Sequence, residues 1–152
     1  MRILILFLAA VLSLSAQNLA ESFAGVGANY TPELNPPVSG WALYAKKITS
    51  TTYSFNVIDI TSKTVKPFTV QTDTSTGVAQ WIARFHKVDL FVVGNLGLSA
   101  AASNVGLAYS GGGAGVFKIK GKWCGIIPVR VMKSTLGDFK ITFGLGFGNT
   151  LQ

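Results

Sequence analysis

The sequence predicts an all-β protein: an eight-stranded antiparallel up-and-down transmembrane β-barrel behind a cleavable leader. Three observations lead there. Apolar residues make up 49% of the chain and charged residues 12%, about half of the roughly 25% usual in soluble domains. No apolar run reaches the about 20 residues that a membrane helix needs, so the excess is spread along the chain. From Glu21 onward the pattern alternates with the two-residue period of strands, without long helical periodicity. The length of 152 residues allows one domain, and the composition excludes a disordered tail.

The leader is read first. Met1 and Arg2 precede an apolar run from Ile3 to Leu12, and small residues follow at Ser13, Ser15, Ala16 and Ala20. That is the order of a secretory signal, and the run is short for a membrane span. A signal peptide over residues 1–20, cut after Ser15, Ala16 or Ala20, and a single barrel domain over 21–152 are therefore expected. Cys124 is the only cysteine. The chain thus has no internal disulfide and no cysteine-type zinc site, and a buried, inert thiol is expected. The absence of cysteine at the leader junction argues against a lipid anchor.

Eight segments follow. The first, Ser22 to Tyr30, puts Ala24, Val26, Ala28 and Tyr30 on one face. The second, Gly40 to Lys47, offers Trp41, Leu43 and Ala45, and the third, Thr52 to Ile60, offers Tyr53, Phe55 and Val57. The fourth, Gly77 to Phe85, carries Ala79, Trp81, Ala83 and Phe85, with Lys66 to Thr72 as a possible extension or replacement. The fifth, Val88 to Leu98, carries Leu90, Val92, Leu96 and Leu98. The sixth, Asn104 to Ile119, carries Val105, Leu107, Tyr109, Phe117 and Ile119. The seventh, Trp123 to Met132, carries Trp123, Ile127, Val129 and Val131. The eighth, Asp138 to Gly148, is the most regular, with Phe139, Ile141, Phe143, Leu145 and Phe147.

The opposite faces are small or polar, with Phe91, Val93, Ile58 and Ile82 as exceptions. A soluble barrel needs a charged exterior, and faces of Gly, Ala and Ser do not supply one. Turned inward, they suit the narrow interior of an eight-stranded barrel. The aromatic face then meets lipid, and closure leaves no backbone edge unpaired. Links alternate in length: Thr31 to Ser39, Thr61 to Ser75, Ser99 to Ser103 and Lys133 to Gly137 fall at one end, and short turns, including His86-Lys87 and Lys120-Gly121-Lys122, at the other. An even strand number returns both termini to the short-turn end. Aromatic girdles are expected from Tyr30, Trp41, Tyr53, Trp81, Phe85, Phe117, Trp123, Phe139 and Phe147.

With these features, residues 21–152 resemble the small eight-stranded outer-membrane β-barrel proteins of Gram-negative bacteria. The resemblance is one of pattern. It implies location in the cell outer membrane, periplasmic short turns and external long links. The run Phe139 to Phe147 looks like the terminal strand that such proteins offer to the barrel assembly machinery, although this chain continues Asn149-Thr150-Leu151-Gln152 where the class usually ends on an aromatic residue.

The formal charge is +7. Lys46, Lys47, Lys87, Lys118, Lys120 and Lys122 fall at the short-turn end, where a basic periplasmic rim would meet anionic phospholipid headgroups. Glu33, Asp59, Asp73 and Asp138 fall at the other end, with Lys63, Lys66 and Lys133. Arg84, Asp89, Arg130 and Lys140 are expected in the lumen, with Asp89 paired to Arg84 or Arg130. Nucleic acid is not an expected partner, since no recognition module is present. His86 is the only histidine, which excludes a multi-histidine metal site. It has no serine near it in sequence, so the acyl-modifying chemistry of some lipid A enzymes on this architecture is not expected. Ser110 to Gly115 opens no helix and is no phosphate loop. No cofactor is expected. The leading expectation is a non-enzymatic barrel without a large pore, with a structural or surface-interaction role and any partner held by the links Thr31–Ser39 and Thr61–Ser75. The alternatives are a secreted lipocalin-like barrel holding an apolar ligand and a lipid-modifying barrel enzyme.

Overall fold

The computed structural model describes residues 20–32, 34, 38–63, 69–137 and 139–151. The expected leader lies outside them, apart from Ala20. Alternation becomes eight strands: β1 (Ser22–Tyr30), β2 (Val38–Lys47), β3 (Thr52–Lys63), β4 (Thr69–Phe85), β5 (Val88–Ala101), β6 (Asn104–Lys120), β7 (Trp123–Ser134) and β8 (Lys140–Leu151). Each pairs antiparallel with its sequence neighbour, and β1 pairs with β8, with Val26 opposite Phe147, so the barrel is closed. Pro128 lacks a backbone N–H. The β7–β8 pairing breaks between Ile126–Gly146 and Val129–Phe143 and resumes in the same register.

Both termini lie at the end that holds the β2–β3, β4–β5 and β6–β7 turns; Ser22 Oγ donates to the Leu151 carbonyl at 3.2 Å. Two-residue turns join β4 to β5 (His86-Lys87), β5 to β6 (Ala102-Ser103) and β6 to β7 (Gly121-Lys122). Their first residues have φ of 53°, 52° and 58°, the left-handed backbone that two-residue hairpins require. Gly121 adopts it freely, whereas His86 and Ala102 do so against their Cβ.

Two links differ from expectation. The span Thr61 to Ser75 is mostly sheet, because β3 runs to Lys63 and β4 begins at Thr69. Its β-branched threonines favour a strand despite their polarity, and Gln71, Asp73 and Ser75 turn inward while Val70 and Thr74 turn outward. The span Ser99 to Ser103 shrinks to the Ala102-Ser103 turn.

The wall faces two directions, and the expected assignment of sides is inverted on β2 and β3. Trp41, Ala45, Tyr53, Phe55 and Val57 are buried inside the barrel. Trp81 also points inward. A bulge between Trp81 and Ala83 shifts the register and restores the expected side beyond it, so Phe85 is outside and Arg84 inside. The inversion has a steric reason. The Trp41 indole lies across Gly27 and Gly146, where an added Cβ would stand 2.5 Å from its ring. The small face of β8 and β1 is small because the large face of β2 fills the space in front of it.

Gly146→Ala, whose Cβ would also meet the Val26 carbonyl at 2.4 Å, should cost about 1–3 kcal/mol through overpacking. Gly40→Ala meets nothing closer than 3.9 Å and should change stability by less than about 0.5 kcal/mol. Urea titration of the folded barrel in detergent measures both.

Candidate functional site

Three surfaces carry the chemistry: the outer wall, the packed lumen and a vestibule at the short-turn end. The outer wall presents large apolar side chains from every strand, among them Val26, Ile58, Val78, Val92, Leu96, Leu107, Ile127 and Leu145, all exposed. Exposed contiguous apolar area on this scale marks contact with something other than water. Among the described residues its charged side chains are confined to the ends, Lys46 and Lys120 at the short-turn end and Lys133 at the other. Tyr30, Phe85, Trp123, Phe139 and Phe147 are exposed on this wall. Phe117 also faces outward and covers Gly125. Tyr44 joins them on the outside, and the sequence reading missed it because β2 was turned the wrong way round.

Trp41, Tyr53 and Trp81 are corrections to the expected girdle: they are 4%, 2% and 3% exposed and sit inside the barrel. With Phe55, Val57, Phe91, Val93, Cys124 and Ile126 they form an apolar layer across the lumen. Phe23 and Phe91 each meet the Tyr53 ring edge-on at 5.8 Å between centroids, a favoured aromatic geometry. The layer leaves a gap of only about 60 Å³.

Toward the long-link end the lumen turns polar. Arg130 donates from Nη1 to Asp59 Oδ2 at 3.0 Å and from Nη2 to Asp59 Oδ1, a two-pronged pair with both side chains under a tenth exposed. Asn29 Nδ2 donates to Asp59 Oδ1 at 3.3 Å. Gln71 Nε2 donates to Asp73 Oδ1 at 3.0 Å and to Ser99 Oγ at 2.9 Å. Ser110 Oγ donates to Asn95, which donates to Ser75 Oγ. Lys140 is buried in this layer. Only about 20 Å³ is left there. Asp59 and Asp73 lie toward the long-link end, as expected, with their side chains buried in the lumen. Arg130 pairs with Asp59 and not with Asp89, because β7 and β3 present these side chains to each other across the polar layer.

Arg84 and Asp89 do pair. Arg84 Nε donates to Asp89 Oδ1 at 2.7 Å, Nη2 to Oδ2 at 2.8 Å, and Trp81 Nε1 to Oδ1 at 3.0 Å. They stand in the wall of a vestibule of about 810 Å³ open at the short-turn end. Lys87, Lys118 and Lys122 line the same vestibule, whereas Lys47 is engaged by Glu21 at 3.4 Å. The six expected rim lysines therefore divide: Lys46 and Lys120 lie on the outer wall, Lys87, Lys118 and Lys122 around the mouth, and Lys47 is held by Glu21. The His86 ring lies tilted by 45° against Phe85, with 4.4 Å between ring centroids. Cys124 is a buried free thiol in the vestibule floor.

A closed antiparallel barrel with a charge-poor apolar exterior and a filled lumen defines the small eight-stranded transmembrane barrel class. Particular structures share the fold. The outer-membrane protein Ail of Yersinia pestis, its attachment invasion locus protein, matches in a crystal structure with a TM-score of 0.57 and 18% identity, over 86% of this chain and 97% of that one. Ail in a phospholipid bilayer nanodisc matches with a TM-score of 0.55 and 17% identity, over 86% and 99%. A designed transmembrane β-barrel matches with a TM-score of 0.54 and 8% identity, over 87% and 98%. No protein-family model and no curated protein sequence matches this chain.

Removing one member of the lumenal ion pair strands the other in a dry layer. Asp59→Ala should destabilise the barrel by about 3–5 kcal/mol, and Asp59→Ala with Arg130→Met by less. Arg84→Ala, at the wet mouth with its side chain 33% exposed, should cost no more than about 1 kcal/mol. Denaturant midpoints of the four proteins check this order.

Proposed function

We propose that this chain is an integral β-barrel of the Gram-negative outer membrane, with a structural or surface-interaction role and no catalytic one. The observation that carries the reading is the outer wall: apolar on all eight strands, with charge, among the described residues, only at its two ends. Strands of 9 to 17 residues meet or exceed the about 9–11 needed to cross hydrocarbon at a tilt. The Ile3–Leu12 run supports export through a signal peptide over residues 1–20. The barrel assembly machinery would insert the chain, and anionic headgroups would meet Lys46 and Lys120 at the periplasmic end. Gaps of about 60 and 20 Å³ in the lumen support a barrel closed to bulk flow. Any surface ligand would be held at the opposite end, around the 31–37 and 64–68 links.

The lipocalin-like alternative puts the apolar residues inside and charge outside. Half of that pattern is present, in the aromatic lumen layer, but an uncharged exterior favours lipid over water on the outside.

Membrane fractionation tests the location, and gel mobility before and after boiling tests the folded barrel. Recovery with outer-membrane markers and a heat-dependent mobility shift are expected. A protein that stays soluble and monodisperse without detergent contradicts the reading. Leu145→Arg, in the middle of β8 on the outer wall, should cost about 2–4 kcal/mol of folding in bilayers and lower insertion yield.

A further inference from the structure

The vestibule has a use that a filled, structural barrel does not require. Its volume of about 810 Å³ falls within the roughly 300–1,000 Å³ of small-molecule sites. Its floor is apolar and preformed: Phe23, Tyr53, Phe91, Val116 and Cys124. The same aromatic residues border the narrow apolar gap beneath. Its mouth is cationic. Asp89 is taken by Arg84 and Trp81, and Glu21 by Lys47. Lys87, Lys118 and Lys122 face the same mouth, and none of them makes an ion pair with a described carboxylate. Fixed positive charge above an oily, water-accessible floor is complementary to one kind of molecule: an anion carrying a single alkyl chain.

We propose that the vestibule binds a single-chain anionic amphiphile, with its carboxylate or phosphate among Lys87, Lys118 and Lys122 and its chain against Phe23, Phe91 and Val116. A free fatty acid and a lysophospholipid share this chemistry. The site goes beyond the membrane role and rests on it only for the side of entry, which is then periplasmic.

The test uses the folded full-length barrel in phosphatidylcholine nanodiscs and a photoreactive laurate analogue bearing a diazirine at the chain end. Mass spectrometry of cross-linked peptides should place the label on the segments holding Phe91 and Val116. Excess laurate or lysophosphatidylglycerol should displace it, and the stronger competitor identifies the source. Dodecanol and dodecyltrimethylammonium should displace it poorly. Combined Lys87→Glu, Lys118→Glu and Lys122→Glu should weaken labelling by about tenfold or more, the scale of one lost charge-assisted contact. The three Lys→Gln changes should have a smaller effect in the same direction, and they serve as the test if the reversed protein loses its heat-dependent mobility. Label confined to the outer wall, displacement by dodecanol equal to that by laurate, or unchanged labelling in the lysine variants overturns the proposal. A barrel that fails to enter nanodiscs yet labels at Phe91 in solution overturns the membrane reading alone.

Discussion

A sheet placed in hydrocarbon can leave no backbone edge unpaired, because no water is present to satisfy it. The β1–β8 pairing meets that requirement, with nine consecutive residues of β1 in register against β8 from Ser22–Leu151 to Tyr30–Phe143. Everything else depends on this closure. It makes the strand number even and brings both ends of the barrel to one side. It also divides the chain's side chains between an outside and an inside that have separate solvents.

The inside is divided again along the barrel axis. One layer is built of aromatic rings from β2 to β5 packed against glycines and small residues of β6, β8 and β1. The other is a hydrogen-bonded polar layer centred on Asp59 and Arg130. Neither layer is general to water-filled barrels. Together they explain how a chain with 12% charge spends several of its charged groups in pairs or in the lumen and still keeps its outer wall nearly free of them. The two layers stabilise by different physics. Dense packing penalises a single added methyl group, whereas the buried ion pair is costly chiefly when broken.

Much of this was legible in the sequence, and its failures are local. Strand number, antiparallel order and the outward faces of β1 and β5 to β8 follow from alternation, because there the outward face is the bulkier one, with Phe91, Val93 and Ile126 as inward exceptions. On β2 and β3 the opposite face also carries large residues, Tyr44, Ile58 and Ile60, and choosing the more aromatic face put Trp41, Tyr53, Phe55 and Val57 on the wrong side. A signal was present: Asp59 shares their parity, and a carboxylate on the lipid face is expensive. Trp81 was lost to a bulge, which two-residue counting cannot register. The Ala102-Ser103 turn lacks the usual Gly or Asn, and the threonine-rich start of β4 looks like a loop by composition. The vestibule was out of reach, because its residues come from seven strands and two turns and meet only once the barrel closes.

The central claim is that the outer wall meets hydrocarbon while Trp41, Tyr53, Phe55 and Trp81 of β2 to β4 do not. Three tryptophans allow a direct measurement. Single-tryptophan barrels retaining Trp41 or Trp81, and one with tryptophan introduced at Leu145, can be reconstituted into bilayers whose acyl chains carry bromine. The account predicts strong fluorescence quenching at position 145 and weak quenching of Trp41 and Trp81. Quenching at position 145 no greater than that of Trp41 would contradict it.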